Sequence, residues 1–167
     1  MKNVSQAIIY KYDDHGNALV LVIQRSSKDH YPNIWELPRG NCNKREHPRD
    51  CLVREIKEET GLDVEIVRFI DTYIYLSEKT GEKKKCFTYL CTPKGDNQKI
   101  VFKPNPKTKI AEHQDYKWVP LNGVTQLILQ PDQLKVVSLV FPLMSPIPKW
   151  RHKQNDVVRE YLGRIQK

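Results

Sequence analysis

Short runs of alternating apolar residues dominate the first half of this chain. Val4 to Tyr10 and Ala18 to Gln24 are two of them, split by the polar turn Asp13-Asp14-His15-Gly16-Asn17, and together they predict a β-hairpin. Arg25 to Asn33 loses the alternation and carries Ser26-Ser27 and Tyr31-Pro32, so it reads as a loop that helps to shape a pocket at the strand ends. Ile34 to Leu37 is a short strand-like run, followed by a loop from Gly40 to His47. Val64 to Leu76 and Lys84 to Cys91 are β-rich and flank a turn around Gly81, which predicts a second hairpin. After a turn at Pro93 to Lys99 come a short strand at Ile100 to Phe102, a proline-containing loop at Lys103 to Ile110 and a strand at Tyr116 to Val119.

The period changes between the hairpins. Leu52 and Ile56 lie one turn apart, Pro48 suits the first helical position, and Gly61 suits a left-handed cap, so a helix is expected over Pro48 to Thr60. Later helices are expected at Leu121 to Leu129, at Gln133 to Val140, opened by Pro131-Asp132, and at His152 to Ile165, with Pro142, Pro146 and Pro148 breaking the chain before the last. Mixed strands and helices of this length predict one α/β domain with a core of its own. No apolar run approaches the ~20 residues of a membrane span.

Charge and cysteine alter the picture next. The net charge of +8 favours a polyanionic partner, a phosphorylated small molecule or RNA. The segment from Ile147 to Lys167 holds six lysines and arginines against two acids and reads as a basic helical extension. Cys42, Cys51, Cys86 and Cys91 lack a C-x-x-C spacing, which gives zinc no support and is expected of free thiols in a reducing compartment, cytoplasmic with a nuclear pool allowed. The histidines, His15, His30, His47, His113 and His152, read as surface residues, and Trp118 as core.

Within the central helix, Glu55, Glu58 and Glu59 stand at i, i+3 and i+4, on one face. Like charges so placed repel by a few tenths of a kcal/mol per pair, roughly. A surface helix usually mixes the signs; a cluster of one sign suits hard divalent cations such as Mg²⁺ or Mn²⁺.

The stretch Gly40 to Leu62 resembles the box of the Nudix hydrolase family, G-x5-E-x7-R-E-U-x-E-E-x-G-U with U aliphatic. Gly40, Glu46, Arg54, Glu55, Ile56, Glu58, Glu59, Gly61 and Leu62 match without a gap, which happens by chance at a given start on the order of 10⁻⁹. The resemblance implies an α/β/α sandwich with a mixed sheet and hydrolysis of a nucleoside diphosphate linked to another group. It implies Glu55, Glu58 and Glu59 as metal ligands, with Glu55 or Glu59 taking a proton from water. It also implies Arg54 as the arginine that holds a glutamate, Glu46 as an outer member, and the backbone carbonyl of Arg39 as a ligand. Ala111 to Val119 is similar to the segment before a late strand in nucleotide-polyphosphate members of that family, where a glutamate joins the metal; Glu112 takes that place as ligand or base. Arg39, Tyr31, Trp35 and Tyr73 are the expected substrate contacts, the aromatics as base-stacking groups. Nucleoside or dinucleoside polyphosphates are the first substrate expectation; an RNA 5′ end, capped or diphosphorylated, is the second, and a non-catalytic nucleotide- or RNA-binding module the third.

Overall fold

The computed structural model describes residues 1–95, 97–104, 109–127 and 130–144. The helix expected at His152 to Ile165, and the whole basic extension, lie outside the described residues. Strands β1 (Lys2–Tyr12) and β2 (Ala18–Arg25) form the first hairpin, and β5 (Val64–Leu76) with β6 (Lys83–Pro93) the second. Each extends the run expected from sequence by a few residues at most. The hairpins meet through β1 and β6, which pair in parallel from Lys2↔Lys84 to Ile9↔Cys91. The other pairings are antiparallel, so the sheet is mixed, in the order β3-β2-β1-β6-β5. Short strands β3 (Trp35–Glu36) and β4 (Arg39–Asn41) pair with β2 and β1, and β7 (His113–Pro120) runs along the other edge of β2.

Helix α1 (Pro48–Thr60) covers one face and α2 (Leu121–Leu127) and α3 (Pro131–Met144) the other. Under α1, Leu52 and Ile56 pack on Ala7, Ile9, Leu21 and Ile23. Opposite, Val124, Val136, Val137 and Val140 pack on Ile8, Val20, Val22 and Leu37. Strand alternation sends neighbouring residues of β1 and β2 to opposite layers, which is how one sheet serves two cores. The result is the expected α/β/α sandwich.

The ends of α1 follow the expected punctuation. His47 accepts from the Arg49 amide, Pro48 opens the helix, and Gly61 at φ 76° donates to the Lys57 carbonyl.

Four expectations need correcting. Arg39–Asn41 is a strand and not the start of a loop, because Gly40 pairs with Ser5 and Arg39 with Gln6. Ile100 to Phe102 is not a strand: the Val101 amide donates to the Thr60 carbonyl at 2.9 Å, tying the segment to the end of α1. Helix α3 opens at Pro131 as expected but does not end at Val140, running through Pro142 to Met144. Cys42 and Cys51 are not free thiols but a disulfide with Cα atoms 5.1 Å apart, joining the segment after β4 to α1; Cys86 and Cys91 are free and buried.

Candidate active site

The carboxylates of α1 face a broad cleft of about 1290 Å³. Glu55, Glu58 and Glu59 line it from α1, Arg39 and Gly40 from β4, and Glu112 from the turn into β7. Glu112 thus lines the same cleft as the box carboxylates, although the two lie far apart in sequence.

Arg54 organises the cluster. Its Nε and Nη2 donate to the two oxygens of Glu46, both at 2.8 Å, while Nη1 donates to Glu55 at 2.8 Å and to Glu58 at 3.1 Å. Nη2 also reaches the Asn41 carbonyl at 3.2 Å, anchoring the group to β4. The Arg54 guanidinium and the Asn43 amide hold the Glu46 carboxyl down at about 2. Glu46 is thus the counter-charge that fixes the arginine. Burial raises the Glu55 carboxyl, and Arg54 opposes that rise. A Cβ on residue 40 would overlap the Glu55 carboxyl group, so Gly40 makes room for it.

Glu59 is half-buried as a residue, yet its Oε2 is enclosed without a hydrogen-bond partner among the described residues. Burial, then the charges of Glu36, Glu55 and Glu112, push its carboxyl well above the usual range. An enclosed carboxylate oxygen that meets no donor among the described residues, beside further carboxylates, is the donor set a hard divalent cation satisfies. The residues therefore fit a divalent metal ion.

Behind Glu59 lies a group that the sequence reading missed. Glu36 is only 2% exposed. Its Oε1 meets Arg25 at 3.1 Å and His113 at 3.2 Å, and Arg39 lies 3.4 Å from its Oε2. Burial raises the Glu36 carboxyl, but His113, Arg39 and Arg25 together bring it below the usual range. His113 is thus buried in an ionic cluster and not at the surface. These contacts join β2, β3, β4 and β7, so no local spacing marks them.

The expected substrate contacts separate. Tyr31 and Arg39 line the cleft, Tyr31 donating to Glu78 at 2.6 Å and Arg39 lying over the Tyr75 ring at 5.3 Å. Tyr73 does not line it; it is buried two residues deeper on the same strand face, with its hydroxyl on Gln6 at 3.2 Å. Trp35 does not line it either, packing against the sheet with Lys117 over its ring at 4.6 Å. Tyr75 and Phe102 are the aromatics that the cleft presents in their place, together with Tyr31.

A helix-borne carboxylate cluster fixed by one arginine thus stands at the rim of a sandwich with a mixed sheet, a donor set suited to a hard divalent cation. The chain belongs to the NUDIX domain family, whose model matches residues 1–140. An RNA pyrophosphohydrolase of a Nitratiruptor species is 33% identical over 103 residues, 57% of this chain and 64% of that protein, so the chain spans a little under two thirds of it. The m7GpppN-mRNA hydrolase of Saccharomyces cerevisiae is 26% identical over 141 residues, 84% of this chain but 13% of that much longer protein. Among solved structures, an Ap4A hydrolase of C. elegans in a binary complex superposes with a TM-score of 0.71 at 19% identity, over 88% of this chain and 100% of that one. That likeness speaks to the fold alone.

Proposed function

We propose that this protein hydrolyses a phosphoric anhydride at the 5′ end of RNA, and that residues 1–167 act as one domain with the basic segment 147–167 as its extension. The observation that carries the reading is the breadth of the cleft. At about 1290 Å³ it exceeds the ~300–1,000 Å³ of an ordinary small-ligand site and runs from the carboxylates to Lys84, Lys79 and Lys103. Relatives named for RNA pyrophosphohydrolysis and mRNA hydrolysis agree with it, and a net charge of +8 suits the partner. These points move the balance from free polyphosphates to RNA.

Each residue then has a task. Glu55, Glu58, Glu59 and Glu112, with the Arg39 carbonyl, would hold the metal, which when bound neutralises phosphate charge and polarises phosphorus. Arg54 keeps Glu55 and Glu58 in place against their mutual repulsion. Glu55 and Glu112 stand on two different elements around Glu59 and supply the proton acceptor for the attacking water. Arg39, backed by Glu36, faces the phosphate oxygens, and Tyr31 or Tyr75 stacks on the terminal base.

Nucleoside or dinucleoside polyphosphates are the second reading, favoured by the basic Arg39 before Gly40 and by the Glu112 segment. A panel with Mg²⁺ separates the two: 5′-triphosphorylated and capped oligoribonucleotides against nucleoside triphosphates and diadenosine polyphosphates. A kcat/KM at least tenfold higher on an RNA substrate is expected. Turnover confined to the free nucleotides would refute the RNA reading.

A further inference from the structure

A row of aromatics begins in the cleft at Phe102 and continues along strand β7 outside it. Phe102 and Lys103 line the cleft beside Glu112. The Phe102 ring lies 6.2 Å from Tyr116, edge to face. Tyr116 and Trp118 are two apart on β7, opposite Ile23 and Leu21, so they share a face about 6.8 Å apart along the strand. Lys11 lies over the Trp118 ring at 4.5 Å and ends the row. Tyr116 is 41% exposed, although a core residue of this size would be covered. Asp115 and Lys117 alternate to the opposite face, so those two side chains stay off the row.

Resting on the RNA reading above, we propose that Phe102, Tyr116 and Trp118, flanked by Lys103 and Lys11, form a track for the single-stranded nucleotides that follow the reacting 5′ phosphates. Three features select this occupant. Rings spaced about 6–7 Å apart match bases held on an extended backbone, and base–aromatic stacking tolerates any sequence. Lysines at both ends suit phosphates, and Lys11, seated on Trp118, is positioned to exchange the ring for a phosphate. The row is continuous with the cleft where the 5′ end would react, so the next nucleotides meet it without a break. A free nucleotide ends in the cleft and has nothing to place on Tyr116.

The track predicts a dependence on length. With Mg²⁺ and 5′-triphosphorylated oligoribonucleotides of one, two, four and six nucleotides, kcat/KM should rise between two and four nucleotides and then level off. Tyr116→Ala should lower kcat/KM on the hexamer about tenfold, mainly through KM, and leave the single nucleoside triphosphate unchanged. Tyr116→Phe should keep the wild-type values, and Lys11→Gln should reduce the salt dependence of hexamer binding. Trp118 packs on the core, so folding could obscure a substitution there, and Tyr116 and Lys11 carry the test. A length-independent kcat/KM, or a folded Tyr116→Ala protein with normal hexamer kinetics, overturns the track while leaving RNA as substrate. Wild-type protein that turns over free nucleotides but none of the oligomers removes the RNA reading and the track with it.

Discussion

Gly40→Ala separates the stability of the fold from the placement of its carboxylates. The new methyl group would occupy the space of the Glu55 carboxyl group. What it meets is the far end of a flexible side chain and not backbone, so Glu55 swings away and β4 keeps its pairing with Ser5. The losses are the 2.8 Å Arg54–Glu55 contact, partly exposed, and a rotamer preference. At about 0.5–1 kcal/mol each, the sum is about 1–2 kcal/mol, a fall in Tm of roughly 2–8 °C for a chain of this size. The effect on rate is larger, because a carboxylate misplaced by an ångström, or removed from a developing charge, costs about 10²–10³. Tm by differential scanning fluorimetry and phosphate release from a triphosphorylated oligomer measure the two halves. A double-mutant cycle with Glu55→Gln tests the route: with Glu55 already neutralised, Gly40→Ala should add little further loss. A folded Gly40→Ala protein within threefold of wild-type kcat would refute the reasoning, as would fully additive losses in the double mutant.

Other expectations follow from the same cluster. Excess chelator should abolish turnover and Mg²⁺ or Mn²⁺ restore it; undiminished activity in EDTA would exclude metal from the mechanism. Glu59→Gln should fold and lose about 10²–10³ in kcat. Because the folded protein raises the Glu59 carboxyl above its unfolded value of about 4.3, wild-type stability in chelator should be penalised as pH rises through that window. The Tm advantage of Glu59→Gln should therefore be absent near pH 4 and grow toward pH 8, and an advantage that shrinks with pH would contradict the assigned burial. Arg54→Lys replaces a planar fork by a point charge, so Glu46 and Glu55 cannot both be held. A loss of about 1–2 kcal/mol in stability and at least tenfold in kcat is expected, read by denaturant melts and steady-state kinetics.

What the sequence revealed was what lies close along it. The spacing of Glu55, Glu58 and Glu59 and the stops at Pro48 and Gly61 are properties of one helix, and the structure bears both out. Gly40 read as a loop because its strand is three residues long and its reason for being glycine, the Glu55 side chain, comes fifteen positions later. Tyr73 and Tyr75 share a face, and only their distance from the cleft mouth decides which one is buried. That distance is set by how β5 lies on β6, with irregularities near Ile66 and Phe69, and not by any residue pattern. The Arg25–Glu36–His113 cluster was hidden for the same reason: its partners meet only when β2, β3 and β7 come together. The Cys42–Cys51 pairing is a matter of distance in the fold, and the connectivity of four cysteines cannot be deduced from their spacing.

The parallel pairing of β1 with β6 has a consequence for how the protein comes into being. Lys2 meets Lys84, and Ile9 meets Cys91, across about eighty intervening residues. On a ribosome adding about 5–20 residues per second, β1 would wait roughly 4–16 s for its neighbour. During that time the β1 edge that β6 will cover, with Ala7, Ile8 and Ile9, stays open, as does the β2 edge that waits for β7. Contacts this distant slow folding and leave the nascent chain open to mispairing. Glu112 and His113 come later still, so the carboxylate cleft closes only once β7 has been made. A growing chain therefore has its carboxylate helix before it has the cleft which that helix lines.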